Sequence, residues 1–205
     1  MKTPFTPAAL ALLLAACGVA EGTGAAATGA ASANQAAPAR GCGRHGAVVS
    51  AAQSTRPLPR LTGRVMDGAN LLSPAAEEGL VRDLAALEAA TTDQFVVVTV
   101  ASLDGEAIES LGLRLGTGWG IGRARINNGV LLIVAPSERK VRIEVGCGLE
   151  GLLTDERARQ IIDADLLPQF GEGRFEQGIQ RGVAAITATL RADPGRPRPW
   201  QGSQS

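Results

Sequence analysis

The chain has 205 residues, room for one domain with appendages or for two small domains. Twenty Lys and Arg balance twenty Asp and Glu, so net charge gives no reason to expect a nucleic-acid partner or a polybasic membrane contact. Aromatic residues make up 3% and Tyr is absent, which argues against stacking surfaces for bases or sugars and calls for an aliphatic core.

Lys2 precedes an apolar run from Ala8 to Ala16. That run is shorter than the roughly 20 residues a helix needs to cross a bilayer, and it has the length of a signal-peptide core. It ends in Leu14-Ala15-Ala16-Cys17, which resembles a bacterial lipobox: small residues before a cysteine whose thiol takes the lipid. Residues 1–17 are therefore expected to be a lipoprotein signal peptide, with Cys17 the lipidated residue and the membrane a partner through it. Each buried CH₂ of such a lipid contributes about 0.8 kcal/mol, so a multiply acylated cysteine holds a protein at a membrane without crossing it. Gly18, and not Asp, follows the cysteine. By resemblance to the sorting rule of Gram-negative bacteria, this implies the outer membrane in preference to the inner. The expected location is the cell envelope, lipid-anchored and periplasm-facing.

Residues 18–59 are rich in Ala, Gly, Ser, Thr and Pro without apolar periodicity, the composition of a flexible tether. Residues 193–205 read as a similar tail. Cys42 and Cys147 remain after Cys17. An oxidising compartment permits a disulfide between them, and two independent thiols is the other reading; both stay open. Together with the sole histidine, His45, they are too few to hold a structural zinc, and His45 reads as a solvated linker residue.

Folded elements are expected over residues 60–192. Arg64-Val65-Met66-Asp67 suits a short first strand. Ser73-Pro74 reads as the N-cap and first residue of a helix, with Leu80, Leu84 and Leu87 along one face. Phe95 to Val100 is a nearly continuous β-branched run, as in a strand covered on both faces. Asp104-Gly105 opens a second helix carrying Ile108, Leu111 and Leu115, which ends near Trp119. Val130 to Ala135 is a second buried strand. The turn 136–139 joins it to Val141-Arg142-Ile143-Glu144-Val145, whose strict alternation predicts a hairpin partner with one wet face. Thr154 caps a third helix, with Asp155 and Glu156 at the positive end of its dipole and Pro168 marking its end. Phe175, Ile179, Val183, Ile186 and Leu190 line a last helix. The order βαβαββαα predicts an α/β fold: a single mixed sheet flanked by helices on both faces, a three-layer sandwich.

Gly146-Cys147-Gly148-Leu149-Glu150-Gly151 fits G-x-G-x-x-G. Its context is wrong for dinucleotide binding, because the preceding strand belongs to a hairpin and the next helix starts only at Thr154. No nucleotide cofactor is expected, and the glycines serve either a tight turn or a binding loop.

Four segments together carry a family resemblance. Val65-Met66-Asp67-Gly68-Ala69-Asn70-Leu71-Leu72, Trp119-Gly120-Ile121-Gly122, Asn127-Asn128-Gly129-Val130-Leu131-Leu132, and Val141 to Gly151 match the TPM family in order and spacing. The resemblance runs from about Leu61 to Leu190 and implies a compact α/β sandwich around one sheet. Cys147 stands where the family usually has an aromatic, and Asn127-Asn128 where it commonly has Asp-Asn. Plant members are described as acid phosphatases, some relatives bind calcium or another divalent ion, and others look like accessory factors in membrane-protein maintenance.

Asp67, Asn70, Asn128 and Glu150 occupy the matching loop positions. A hard cation such as calcium or magnesium wants several oxygens, and Asp67, Asn128 and Glu150 are the expected ligands if they converge at one edge of the sheet. The plain alternative is that Asp67 and Asn70 cap the first helix and Asn128-Gly129 makes a turn. No nucleophile–base pair, domain histidine or P-loop accompanies them, although Arg123 and Arg125 suit contact with phosphate. The reading that follows is a membrane-anchored accessory module acting on envelope membrane proteins, with metal-dependent acid phosphatase and structural spacer as alternatives.

Overall fold

In a computed structural model, residues 57–193 are described. The expected signal peptide with Cys17, the expected tether with Cys42 and His45, and the expected tail beyond Asp193 lie outside the described residues. The two most apolar strands, β2 (Gln94–Thr99) and β3 (Gly129–Ala135), form the middle of a four-stranded sheet and are buried almost along their length. β1 (Val65–Asp67) runs parallel to β2 with Val65 opposite Val97, and β2 runs parallel to β3 with Gln94 opposite Gly129. β4 (Lys140–Val145) closes the order antiparallel to β3, with Val145 opposite Val130.

Alternation along the strands sorts the core into two layers. Phe95, Val97, Leu132 and Ile143 face α1 (Pro74–Thr91), α3 (Asp155–Ile161) and α5 (Phe175–Arg191). Val96, Val98, Leu131 and Ile133 face α2 (Ile108–Trp119). This is the expected single mixed sheet with helices on both faces. Leu84, Leu87, Leu115 and Ile186 are fully buried, each such side chain stabilising by roughly 1.5–3 kcal/mol. The first helix starts as its sequence requires: the Ser73 hydroxyl accepts from the Ala76 N–H at 3.3 Å and Pro74 follows.

Three local expectations are corrected. Asp104-Gly105 does not open α2; both residues have positive φ and form a turn, and the helix begins at Ile108 without a side-chain cap. Pro168 does not end the third helix. A π turn over Ile162–Leu166, in which the Leu167 N–H reaches the Ile162 carbonyl, leads directly into α4 (Leu167–Gly171). The break in the regular i→i−4 ladder accommodates a residue with no N–H. The polar face of β4 is half-buried, because α2 lies over it: Gly112 sits close enough to Arg142 and Glu144 that a larger residue would crowd them. Those two side chains pair with each other at 2.6 Å.

Candidate functional site

Because β1, β2 and β3 are parallel, their loops divide cleanly between the two ends of the sheet. Asp67 closes β1 opposite Thr99, at the carboxyl end of the parallel strands. Asn128 precedes β3, at the amino end, and its carbonyl accepts from the Gln94 N–H that opens β2. Glu150 follows the turn after β4, whose antiparallel course also finishes at the amino end. The structure therefore does not bring Asp67, Asn128 and Glu150 to one edge: the length of β2 separates Asp67 from Asn128. Among the described residues, no three or more His, Cys, Asp or Glu side chains are grouped to hold a metal ion.

At the carboxyl end, Asp67 organises its own loop. One carboxylate oxygen accepts from the Leu71 N–H at 3.0 Å and from the Thr99 hydroxyl; the other accepts from the Leu72 N–H at 2.8 Å. Asn70 adopts positive φ within the same turn, a conformation its short amide side chain tolerates. Asp67 and Asn70 thus shape the approach to α1. Nearby, a Glu138 oxygen accepts from the Leu103 N–H at 2.9 Å and the Ser102 hydroxyl at 2.8 Å, tying the 136–139 turn to the loop after β2. The Leu103 N–H, followed by the Ser102 hydroxyl, holds the Glu138 carboxyl below its usual range by stabilising the charged form.

At the amino end, Asn128 is 2% exposed and uses both ends of its amide. Its NH₂ group donates to the Thr92 carbonyl at 2.8 Å and to Asp93 at 3.1 Å, and its oxygen accepts from the Arg123 N–H at 3.0 Å. A predicted turn residue is instead a buried bracket joining the α1–β2 and α2–β3 connections. Beside it Gly122 and Gly129 press backbone on backbone; a Cβ on Gly129 would lie 2.6 Å from the Ile121 carbonyl oxygen. The Gln94 side chain accepts from the Gly122 N–H at 2.8 Å.

Above this support the chain bulges outward. Arg123 to Asn127 are all exposed, Ile126 by 53%. The loop is closed by bonds from the Ile126 and Asn127 N–H groups to the Arg123 carbonyl, and Arg125 and Asn127 have positive φ. Neither arginine side chain has an ion-pair partner among the described residues. Gly146 and Gly148 lie directly on the backbone of Ile126 and Asn127, where any side chain would collide with carbonyl oxygens, and the Gly148 N–H donates to the Asn127 carbonyl at 3.1 Å. Two glycines of the G-x-G-x-x-G run are thus required by backbone approach. Cys147, between them, is disulfide-bonded, so it is not an independent thiol. A cleft of about 370 Å³ adjoins the same end, lined by Leu61, Arg64, Glu88, Gln94, Phe95 and Trp119 among others. Arg64 and Glu88 form an ion pair in it at 2.6 Å.

Sequence reasoning expected Asp67, Asn128 and Glu150 at one edge, where the structure separates Asp67 from the other two, and it noticed Arg123 and Arg125. It missed that Ile126 stands out between supported turns; a lone isoleucine between Arg125 and Asn127 in a Gly/Asn-rich stretch was the available signal.

Comparison with known proteins agrees with this architecture. The N-terminal domain of a protein from P. gingivalis superposes with a TM-score of 0.59 at 38% identity, covering 63% of this chain and 82% of that one. The BA42 protein of Bizionia argentinensis superposes at 0.51 with 20% identity, over 58% of this chain and 81% of that chain. The N-terminal domain of the cg2496 protein of Corynebacterium glutamicum does so at 0.52 with 16% identity, over 68% and 89%. The last two likenesses concern the fold alone. Nothing among curated proteins matches the chain. The family model of the TPM domain matches residues 65–189. With most of its length matched by that model, and a P. gingivalis relative 38% identical over the same fold, the chain belongs to the TPM domain family.

Proposed function

We propose that this protein is a lipid-anchored binding module of the cell envelope, whose exposed 123–127 loop meets an acidic segment of a membrane-protein partner. One observation carries the reading: Arg123, Arg125 and Ile126 project from a loop whose backbone is held rigid from beneath by Asn128 and the Gly122–Gly129 contact. A rigid loop loses little entropy on binding, so two guanidiniums without ion-pair partners among the described residues, and one apolar side chain, form a ready contact. Arginine also matches carboxylates in two-pronged fashion. The lipobox and tether support the location, since they would keep the domain within reach of membrane proteins on the periplasmic side. A divalent ion held by Asp67, Asn128 and Glu150 is not part of this reading, because Asp67 and Asn128 already use their oxygens at opposite ends of the sheet.

Photocrosslinking in cells tests it. A photoreactive residue at Ile126 should trap a reproducible envelope membrane protein, and one at exposed Asp163 should not. The double variant Arg123→Glu, Arg125→Glu should abolish that crosslink while the domain stays folded. Equal trapping from both positions, or no trapped membrane protein at all, overturns the reading.

A further inference from the structure

β4 is one of the two edge strands of the sheet and the longer of them, six residues against the three of β1. Its pairing with β3 decides which backbone groups are used. The Gly146 N–H donates to the Gly129 carbonyl at 2.8 Å, and in the register of this antiparallel pair Lys140, Arg142 and Glu144 direct their N–H and C=O groups to β3. Val141, Ile143 and Val145 turn theirs to the outer side, where no described strand pairs with them. The edge at β1 is blunted by its shortness, one of the usual protections. β4 has neither a proline nor a bulge, and its one lysine stands at its first residue.

The side chains along this edge make it complementary to itself. Val141 and Ile143 are buried in the layer of α1, α3 and α5, and Val145 packs against that layer. Arg142 and Glu144 stand on the opposite face beneath α2, close to Gly112. The Arg142 Nε donates to Glu144 at 2.6 Å, which leaves the two terminal amino groups of the guanidinium and the other carboxylate oxygen for a further partner.

We propose that two copies of this chain pair antiparallel along β4, about a two-fold axis at Ile143, and join their sheets into one. In that register Ile143 lies opposite Ile143 of the second copy, and the two exchange both backbone bonds. Val141 lies opposite Val145 of the second copy. Arg142 of each copy faces Glu144 of the other at non-hydrogen-bonded positions, where cross-strand side chains come closest. A two-fold contact requires such self-complementarity, with residue i meeting j and j meeting i. The charges also fix the register. Sliding by two residues sets Arg142 against Arg142 or Glu144 against Glu144, and a slip of one turns the apolar side chains to the wrong face. Because the axis stands perpendicular to the joined sheet, the α2 helices of both copies lie on the same face. This pairing depends neither on the arginine loop nor on the lipid anchor.

The full chain, co-expressed with two different epitope tags and extracted in detergent, tests it. The parent should co-purify through either tag and sediment at twice the mass of one chain. Arg142→Glu and Glu144→Arg, each expressed only with itself, should lose co-purification by about tenfold or more, because like charges then meet at both cross-strand positions. Expressed together, the two should recover it, since one edge carries two acids and the other two bases. The double variant Arg142→Glu with Glu144→Arg keeps the internal ion pair, so the test stands even where a single reversal fails to fold. It should pair with itself at the parent level and not with the parent. Val145→Pro removes an outward donor and none of the β3–β4 bonds; it should sediment as a single chain with an unchanged circular dichroism spectrum. A parent that sediments as a single chain overturns the proposal. So do single reversals that co-purify like the parent, folded reversals that fail to recover each other, or a double variant that pairs with the parent as readily as with itself.

Discussion

The two ends of the sheet use similar residues to opposite effect. At the carboxyl end, Asp67 turns both its oxygens, and Glu138 one of its two, inward on backbone N–H groups and hydroxyls, so the loops there are closed by their own side chains. At the amino end, Asn128 is turned inward in the same way, but the loop it supports points two arginines and an isoleucine outward. The lesson is that a polar residue in a family motif is not thereby a ligand. What matters is whether partners within the chain already fill its hydrogen-bonding capacity, since a filled group stabilises the fold and leaves little for a ligand.

Breaking the amino-end bracket should have the largest effect. Asn128→Ala leaves the Arg123 N–H, the Thr92 carbonyl and Asp93 without their buried partner, and urea denaturation should show a loss of about 3 kcal/mol. The 126 crosslink should fall with it. Asp67→Ala should cost about 2 kcal/mol, because three bonds to a carboxylate are lost from a partly exposed loop. Calorimetric titration with calcium or magnesium should give the same isotherm for Asp67→Ala as for the parent, which separates a capping role from a metal role.

Cys147→Ser should destabilise by about 1–3 kcal/mol under oxidising conditions. A reductant should make parent and variant coincide.

Glu138 offers a finer comparison through pH. Its folded carboxyl titrates below its unfolded value. Its contribution is therefore present above the usual carboxylate range and is lost as pH falls through the lowered folded value. Hydrogen exchange at the Leu103 amide should accelerate over that window, and Glu138→Gln should flatten the response. The smallest change in stability belongs to Arg123→Glu with Arg125→Glu, within about 0.5 kcal/mol for exposed loop positions, even though it should abolish the crosslink. A variant that unfolds would show the arginines to be part of the support and not of the contact face.

Much of the fold was legible because its signals are local. The apolar runs around Val97 and Leu132, the Ser73-Pro74 start of α1 and the alternation from Val141 to Val145 each report their own structure through burial period and capping chemistry. Pro168 misled for the same reason: a proline rule applied locally cannot foresee a π turn just before it. The candidate site was less legible. Asp67, Asn128 and Glu150 look alike as oxygen-bearing loop residues, and nothing local says which end of a parallel sheet each one reaches.

The sequence by itself determined the four strands, the main helices, their order and the family, since these follow from periodicity and from motifs read along the chain. Tertiary structure alone decided that Asp67 and Asn128 lie a strand's length apart, that Asn128 is a buried bracket, and that Ile126 and the two arginines are left facing outward. The physical reason is that parallel pairing sends successive loops to opposite ends. Hydrogen-bond satisfaction, moreover, depends on groups some thirty positions distant, as between Asn128 and Asp93, and no local pattern encodes it.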